Sequence, residues 1–336
     1  MKQWIFRLLL LLPLLAAAAG PEAAVPLSPL APRKITLVVS GLPQAAGIGY
    51  QMAIDKGFYR CRGLDVTLIY SDTVSSGGPG SAERAGDFIV APLVLALKWR
   101  IRDGLPVVHL VQVVNRNTQV VAGWRRKGIV KPESLAGRRL ALPLGMQQFV
   151  ARGFFETLKI RPEIVGQSDR GCIELFVQKR VDGVQFADYV GMPQLYLYGI
   201  DKDELMVISL RQDTNLDIPE DGLYCQEDFW QQYPDICQKM RDATQEGWRY
   251  VAAAAHREET AAALVKHSQK TRDPMNLAQA GLTIDALVQA LPVSGKAQRP
   301  GELSPAALQR ALDFLISQKM IPAETGIGIA DFCRRK

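Results

Sequence analysis

Histidine is scarce in this 336-residue chain, and the three present, His109, His256 and His267, lie in different segments. No H-E-x-x-H pair, nucleophile elbow, dinucleotide fingerprint or zinc-ligand spacing occurs. That removes the usual sequence grounds for a metallohydrolase, a serine hydrolase or a nicotinamide enzyme. Five cysteines, Cys61, Cys172, Cys225, Cys237 and Cys333, are scattered without any C-x-x-C spacing. A metal knuckle or redox motif is thereby excluded, and the odd count specifies no disulfide framework. Cys225 and Cys237, the nearest pair, are expected to remain unbridged. Basic residues form separate runs (Arg125 to Lys127, Arg138 with Arg139, Arg334 to Lys336) and no concentrated stripe with interleaved aromatics, so no nucleic-acid partner is expected. Past the leader, no run is long and apolar enough to span a bilayer. No metal and no cofactor is expected.

What is present begins with that leader. A basic head, Met1 to Arg7, precedes a short apolar run from Leu8 to Ala19, interrupted by Pro13 and followed by Gly20-Pro21. This pattern is that of a secretory signal peptide, assigned to residues 1–19. A membrane anchor would need roughly 20 apolar residues. No Cys lies near the exit, so lipid attachment there is not expected. The remaining chain, with 22% charged and 48% apolar residues in the whole, has the balance of a soluble globular protein and the length of two ordinary domains.

Short apolar runs alternate with helical ones. Ile35 to Val39, Val66 to Tyr70, Phe88 to Val90 and Val107 to Val114 carry few charges, as strands buried on both faces of a parallel sheet do. Between them fall a helix after Pro43, one near Ser81 to Ala85, and one from Leu93 to Arg102. A second series follows Trp124: a strand through Leu140 to Leu142, helices at Gln147 to Leu158 and Ile173 to Lys179, a strand at Gly183 to Phe186, a helix at Met192 to Tyr198, and a strand at Leu205 to Leu210. From Glu227 the pattern turns helical. Pro234 occupies a first helical position, and Ser304-Pro305 caps a final amphipathic helix bearing Leu308, Leu312 and Leu315. The fold class is α/β.

The stretch from Pro43 to Val66, PQAAGIGYQMAIDKGFYRCRGLDV, is the most distinctive. Small residues crowd a helix entrance, Gly57 stands where a left-handed cap belongs, and Gly63-Leu64-Asp65-Val66 opens a strand. Its P-Q-A, A-x-x-K-G-F-Y and G-L-D-V elements resemble the substrate-binding proteins of ABC importers, in the branch that takes up thiamine-pyrimidine precursors, taurine, alkanesulfonates and nitrate. Ser134 to Ala141, Val181 to Gln185, Gly199 to Leu205, Ile218-Pro219-Glu220-Asp221-Gly222-Leu223-Tyr224, and Gly247-Trp248-Arg249-Tyr250 with Glu258-Glu259 resemble further elements of that family in the same order.

The resemblance implies a type II periplasmic-binding architecture with two lobes, each a mostly parallel sheet flanked by helices. Two hinge crossings are expected near Asn115 to Val121 and Arg211 to Ile218. Lobe one would comprise residues 33–118 plus 219–336, and lobe two residues 119–218. The implied function is a monomeric periplasmic protein that captures a small-molecule solute and delivers it to the membrane permease of an ABC importer. Presentation to a sensor receptor and an enzyme on the same fold are the alternatives. Fungal enzymes of this fold use a Cys-rich motif and a pyridoxal-phosphate lysine, which this chain does not match, so no enzyme is expected.

Ligands of two-lobed α/β proteins meet the carboxyl ends of strands. That nominates Gln44 after the first strand, Tyr50 one turn into the first helix, and Gly78 in Ser75-Ser76-Gly77-Gly78-Pro79-Gly80. In lobe two it nominates Gly145, Gln185, Asp188 and Tyr189. The pyrimidine-binding members carry an Asn and a Glu beside the tyrosine and a Trp before the loop proline. Here Val190, Gly191 and Gly41 stand instead, so a pyrimidine is not the expected solute.

Overall fold

A computed structural model describes residues 31–40, 45–71, 86–145, 147–212, 216–271, 274–291 and 301–334. Ten strands, β1 to β10 in chain order, form two five-stranded sheets among these residues. The first sheet has the order β2-β1-β3-β10-β4. It is built from β1 (Arg33–Ser40), β2 (Leu64–Ser71), β3 (Phe88–Pro92), β4 (Val107–Gln112) and β10 (Asp221–Gln226). The second has the order β7-β6-β8-β5-β9 and takes β5 (Gln119–Trp124), β6 (Arg139–Pro143), β7 (Glu163–Gln167), β8 (Gly183–Ala187) and β9 (Leu205–Ser209). In each sheet one strand opposes the rest: β10 runs antiparallel between β3 and β4, and β5 between β8 and β9.

The apolar runs form strands as their composition requires. Every residue of β4 is buried, as is every residue of β5. Three strands do not stand out in the sequence. Strand β7 is a partly exposed edge, and β5 and β10 open on polar residues that look like connections. The helix expected at Ser81 to Ala85 lies outside the described residues. Two other helices begin a turn earlier than their apolar period shows, because their first turns are polar. These are α4 (Asp169–Val177), capped by Ser168 accepting from the Gly171 N–H, and α5 (Asp188–Leu197). A third, α9 (Leu277–Ala290), starts at an Asn276 cap well before Ile284. The final amphipathic helix, α10 (Pro305–Ser317), is capped by Ser304 and buries Leu308, Leu312 and Leu315 as expected.

The chain leaves the first sheet after Gln112 and enters the second at Gln119, so the last part of the expected first crossing is already strand β5. It returns between Ser209 and Asp221. The two passages are paired. The amides of Val113 and Val114 both donate to the Asp221 carbonyl, at 2.9 and 3.0 Å, and the Glu220 amide donates to the Val114 carbonyl at 2.9 Å. The buried Gln112 side-chain nitrogen lies 3.0 Å from the carbonyls of Val114, Glu220 and Asp221. Thr118 gives its amide to one Glu220 carboxylate oxygen and its hydroxyl to the other, both at 2.7 Å. Each of these groups would otherwise be a shielded polar atom without a partner, which is costly.

The halves also meet through helices. Helix α9 packs on α5, and α10 reaches α3 (Gln147–Thr157), where Gln318 donates to Glu156 at 2.9 Å. Within the first half, α1 (Ile48–Asp55) crosses α7 (Pro234–Ala252) at very short range. A Cβ on Gly247 would lie 2.2 Å from the Gly49 carbonyl oxygen, and one on Gly49 would lie 2.2 Å from the Trp248 ring. The clasp is reinforced by Lys56, whose ammonium pairs with Glu259 on α8 (Arg257–Ser268), and by the Tyr250 hydroxyl, which donates to the same carboxylate.

Gly247→Ala is expected to destabilise the protein by about 1–3 kcal/mol through overpacking against backbone that cannot yield, measured by chemical denaturation. Thr118→Val, which removes one donor from the Glu220 carboxylate, is expected to cost about 1–3 kcal/mol in the same measurement.

Candidate ligand site

Helix α1 follows a 3-10 turn (Ala45–Gly47) and is held so tightly by α7 that Tyr50 has no freedom to leave the interior. Its ring stands edge-on to Trp248 at 5.6 Å between centroids, and its side chain is 0% exposed. Among the described residues neither the Tyr50 hydroxyl nor the Trp248 indole nitrogen has a hydrogen-bond partner; the two lie near each other without the geometry for a bond. Tyr59, equally buried, is by contrast satisfied by Thr244 at 2.8 Å.

Asp221 opens β10 in register with Pro92, at the carboxyl end of β3. It shares a sheet face with Leu223 and Cys225, which pack in the same core as Tyr50. Its charge is the one that acts most on the Tyr50 hydroxyl. Tyr189, on the first turn of α5, is 5% exposed, belongs to the same core, and feels Glu220 most and Asp221 next. Burial, then these charges, push both hydroxyls well above the ordinary tyrosine value, so both remain neutral donors.

The acids themselves are half-buried, crowded by protein yet touching solvent. Burial raises the Glu220 carboxyl, and the hydrogen bonds from Thr118 and Gln119 work against that rise. Burial and the neighbouring Glu220 charge push Asp221 up to about 7. Among the described residues no cation pairs with either carboxylate. The arrangement therefore offers a hydrogen-bond acceptor that changes charge near neutrality, two aromatic hydroxyls and an indole N–H. It is equipped to hold a polar guest.

The residues nominated from sequence fare differently. Tyr50 and Tyr189 lie in the same core, and the charge of Asp221 acts on both hydroxyls. Gln185 is fully buried in β8 and donates to the Gln119 side chain at 3.2 Å; Gln119 in turn approaches Glu220 at 3.4 Å. It joins the crossings and is not open to a cleft. The Asp188 amide donates to the Thr118 carbonyl at 2.9 Å, and its exposed carboxyl is raised by the surrounding protein. Gly145 takes a left-handed φ of 96° in the turn after β6, at the same sheet end as Asp188. Gln44 and Gly78 lie outside the described residues.

Asp221, Glu220 and Trp248 are the residues that site reasoning passed over. All three stood inside strings that marked the family likeness, but a buried carboxylate is a property of the folded chain. A cavity of about 220 Å³ lies elsewhere, beside the crossings, lined by Arg116, Arg211, Arg310, Asp217 and Glu302. It does not include the tyrosines. His109, 3.5 Å from the Cys333 sulfur, is packed among Tyr224 and Phe332 as a strand histidine usually is. No disulfide joins any of the five cysteines, and the sulfurs of Cys225 and Cys237 are 3.8 Å apart.

Comparison with solved structures places this architecture. The alkanesulfonate-binding protein SsuA from Xanthomonas axonopodis pv. citri, bound to MOPS, aligns over 91% of this chain and 99% of its own at a TM-score of 0.66 and 12% identity. The periplasmic aliphatic sulphonate-binding protein SsuA from Escherichia coli aligns over 90% and 92% at 0.66 and 14%. The periplasmic nitrate-binding protein NrtA from Synechocystis aligns over 88% and 83% at 0.61 and 17%. Identities this low establish the fold, the two-lobed periplasmic-binding architecture. No curated protein sequence matches the chain. The NMT1/THI5-like family profile matches residues 44–258, most of the chain from the P-Q-A loop to the first glutamate of the Glu258-Glu259 pair. By that match the chain belongs to the NMT1/THI5-like family.

Proposed function

We propose that this protein is the periplasmic solute-binding component of an ABC importer, exported through its leader and acting as a monomer. Its lobes are residues 33–118 plus 219–336 and residues 119–218. They close on one small molecule and deliver it unaltered to a membrane permease.

The observation that carries this reading is that Tyr50, from the first half, and Tyr189, from the second, belong to one core and both feel the charge of Asp221 at the root of the paired crossings. A solute touching both halves binds the closed form better than the open one, and so shifts the balance toward closure. Opening would part the α9–α5 and α10–α3 contacts. We assign Tyr50 and Tyr189 as solute contacts, with Gln44, Gly78, Gly145 and Asp188 at the rim. Gln185 supports them through Gln119.

Native mass spectrometry of protein purified without denaturation is expected to show one bound small molecule. Removing it should increase the radius of gyration in X-ray scattering, and re-adding it should reverse the change. Tyr189→Ala is expected to weaken rebinding about tenfold or more. Conversion of the bound molecule on incubation, or a radius indifferent to it, would rule the reading out.

A further inference from the structure

Asp221 is an unusual residue to leave in this position. Among the described residues its side chain has no hydrogen bond or ion pair, although its backbone carbonyl is engaged by Val113, Val114 and Gln112. The Tyr50 hydroxyl, on which the Asp221 charge acts, is buried and without a partner among the described residues, as is the indole N–H of Trp248 beside Tyr50. The charge of Asp221 also acts on the buried Tyr189 hydroxyl. A fold closes most of its buried polar groups, and Tyr59 with Thr244 shows that this one can do so a few residues away. The cluster instead leaves acceptor and donor capacity unspent around a carboxylate.

The sign of the charge identifies what would use it. Glu220 and Asp221 are consecutive, and the Glu220 charge disfavours ionisation of Asp221. No lysine, arginine or histidine among the described residues offsets them. An anionic guest would add a third negative charge to this crowded region. A cationic guest would neutralise it, and would do so at carboxylates half-buried in protein, where charge pairing is stronger than in bulk water.

We propose that the Asp221 and Glu220 carboxylates, together with the Tyr50 and Tyr189 hydroxyls, select a small organic cation: a protonated amine, amidine or guanidine. Asp221 supplies the free acceptor. Glu220, held by Thr118 and Gln119, supplies fixed charge beside it. This assignment rests on the binding-protein reading above and names the class of its solute. It separates this chain from what the sulphonate- and nitrate-binding proteins of the same fold are named for.

Titration gives an independent handle. The titratable groups coupled to Asp221 are Glu220 beside it, Tyr50 from α1, Tyr189 from α5, which also feels Asp169 of α4, and Tyr224, which lies on the other face of β10. The tyrosines do not ionise near neutrality, so the carboxylates alone change charge there. Asp221 sits above its unfolded value of about 4. The folded protein thus holds an extra proton between about 4 and about 7, and the unliganded protein loses stability as pH rises through that window. Affinity for a permanently charged cation should rise over the upper part of the same window.

The test has two arms on the full-length mature protein. In the first, the solute released by denaturing freshly purified protein is identified and its charge at neutral pH established. In the second, protein refolded free of solute is titrated with choline, methylguanidine and benzamidine, and with ethanesulfonate, benzoate and nitrate, following tryptophan fluorescence and thermal stability. A released cation, or a response confined to the cationic probes, supports the proposal when Asp221→Asn weakens it about tenfold or more and flattens its pH dependence. The Asn variant is expected to fold, because it removes a repelled charge, and its unliganded stability should lose the fall between pH 4 and 7. Glu220→Gln provides the second variant, with a smaller loss of affinity. A released anion, a response confined to the anionic probes, or a bound solute indifferent to Asp221→Asn overturns the cation assignment and leaves the binding-protein reading standing. Absence of any released solute together with silence toward both probe sets removes both.

Discussion

The structure depends on the pairing of two connecting segments. Between the sheets the chain passes twice, and the passages satisfy one another's backbone: Val113, Val114 and Gln112 bind Asp221 and Glu220, while Thr118 holds the Glu220 carboxylate. Other elements are fastened to the same short ribbon. The first amide of α2 (Leu93–Ile101) donates to the Glu220 carbonyl, and the first amide of α5 donates to the Thr118 carbonyl. Strands β5 and β10 leave the ribbon as the antiparallel members of their sheets. An error at Glu220 would therefore be felt in both halves at once.

The parallel strands were legible because burial on both faces writes an unbroken apolar run, which β1, β3 and β4 retain. Strands β5 and β10 were not, since each opens on residues whose polar groups are spent on the crossings. Gln119 and Asp221 look like loop residues until the partner segment is known. The helix entrances hid for a similar reason, because capping turns are polar and carry no apolar period.

The strings that pointed to the family turn out to be largely structural. Lys56 from K-G-F-Y, Tyr250 from G-W-R-Y and Glu259 from the acidic pair form one clasp, with Phe58 and Tyr250 6.0 Å apart. Gly247 is demanded by the Gly49 carbonyl it faces. Together they lock α1 onto α7 and aim Tyr50. Position along the chain nominates Tyr50 and Tyr189, which follow strand ends. For Gln185 it leaves the side chain's direction open, because alternation in a strand covered on both faces does not say which side faces the crossings.

Asp221 sits on the axle about which two such bodies would turn. Points near an axle travel little while points far from it sweep widely. The two carboxylates placed there, Glu220 and Asp221, would keep their mutual spacing with the jaws apart or together, whereas Tyr50 and Tyr189, one from each half, would not. A visitor would then meet the charge before any large movement begins, and the rings only on closure. The distant edges would judge last, by whether the visitor leaves room to shut.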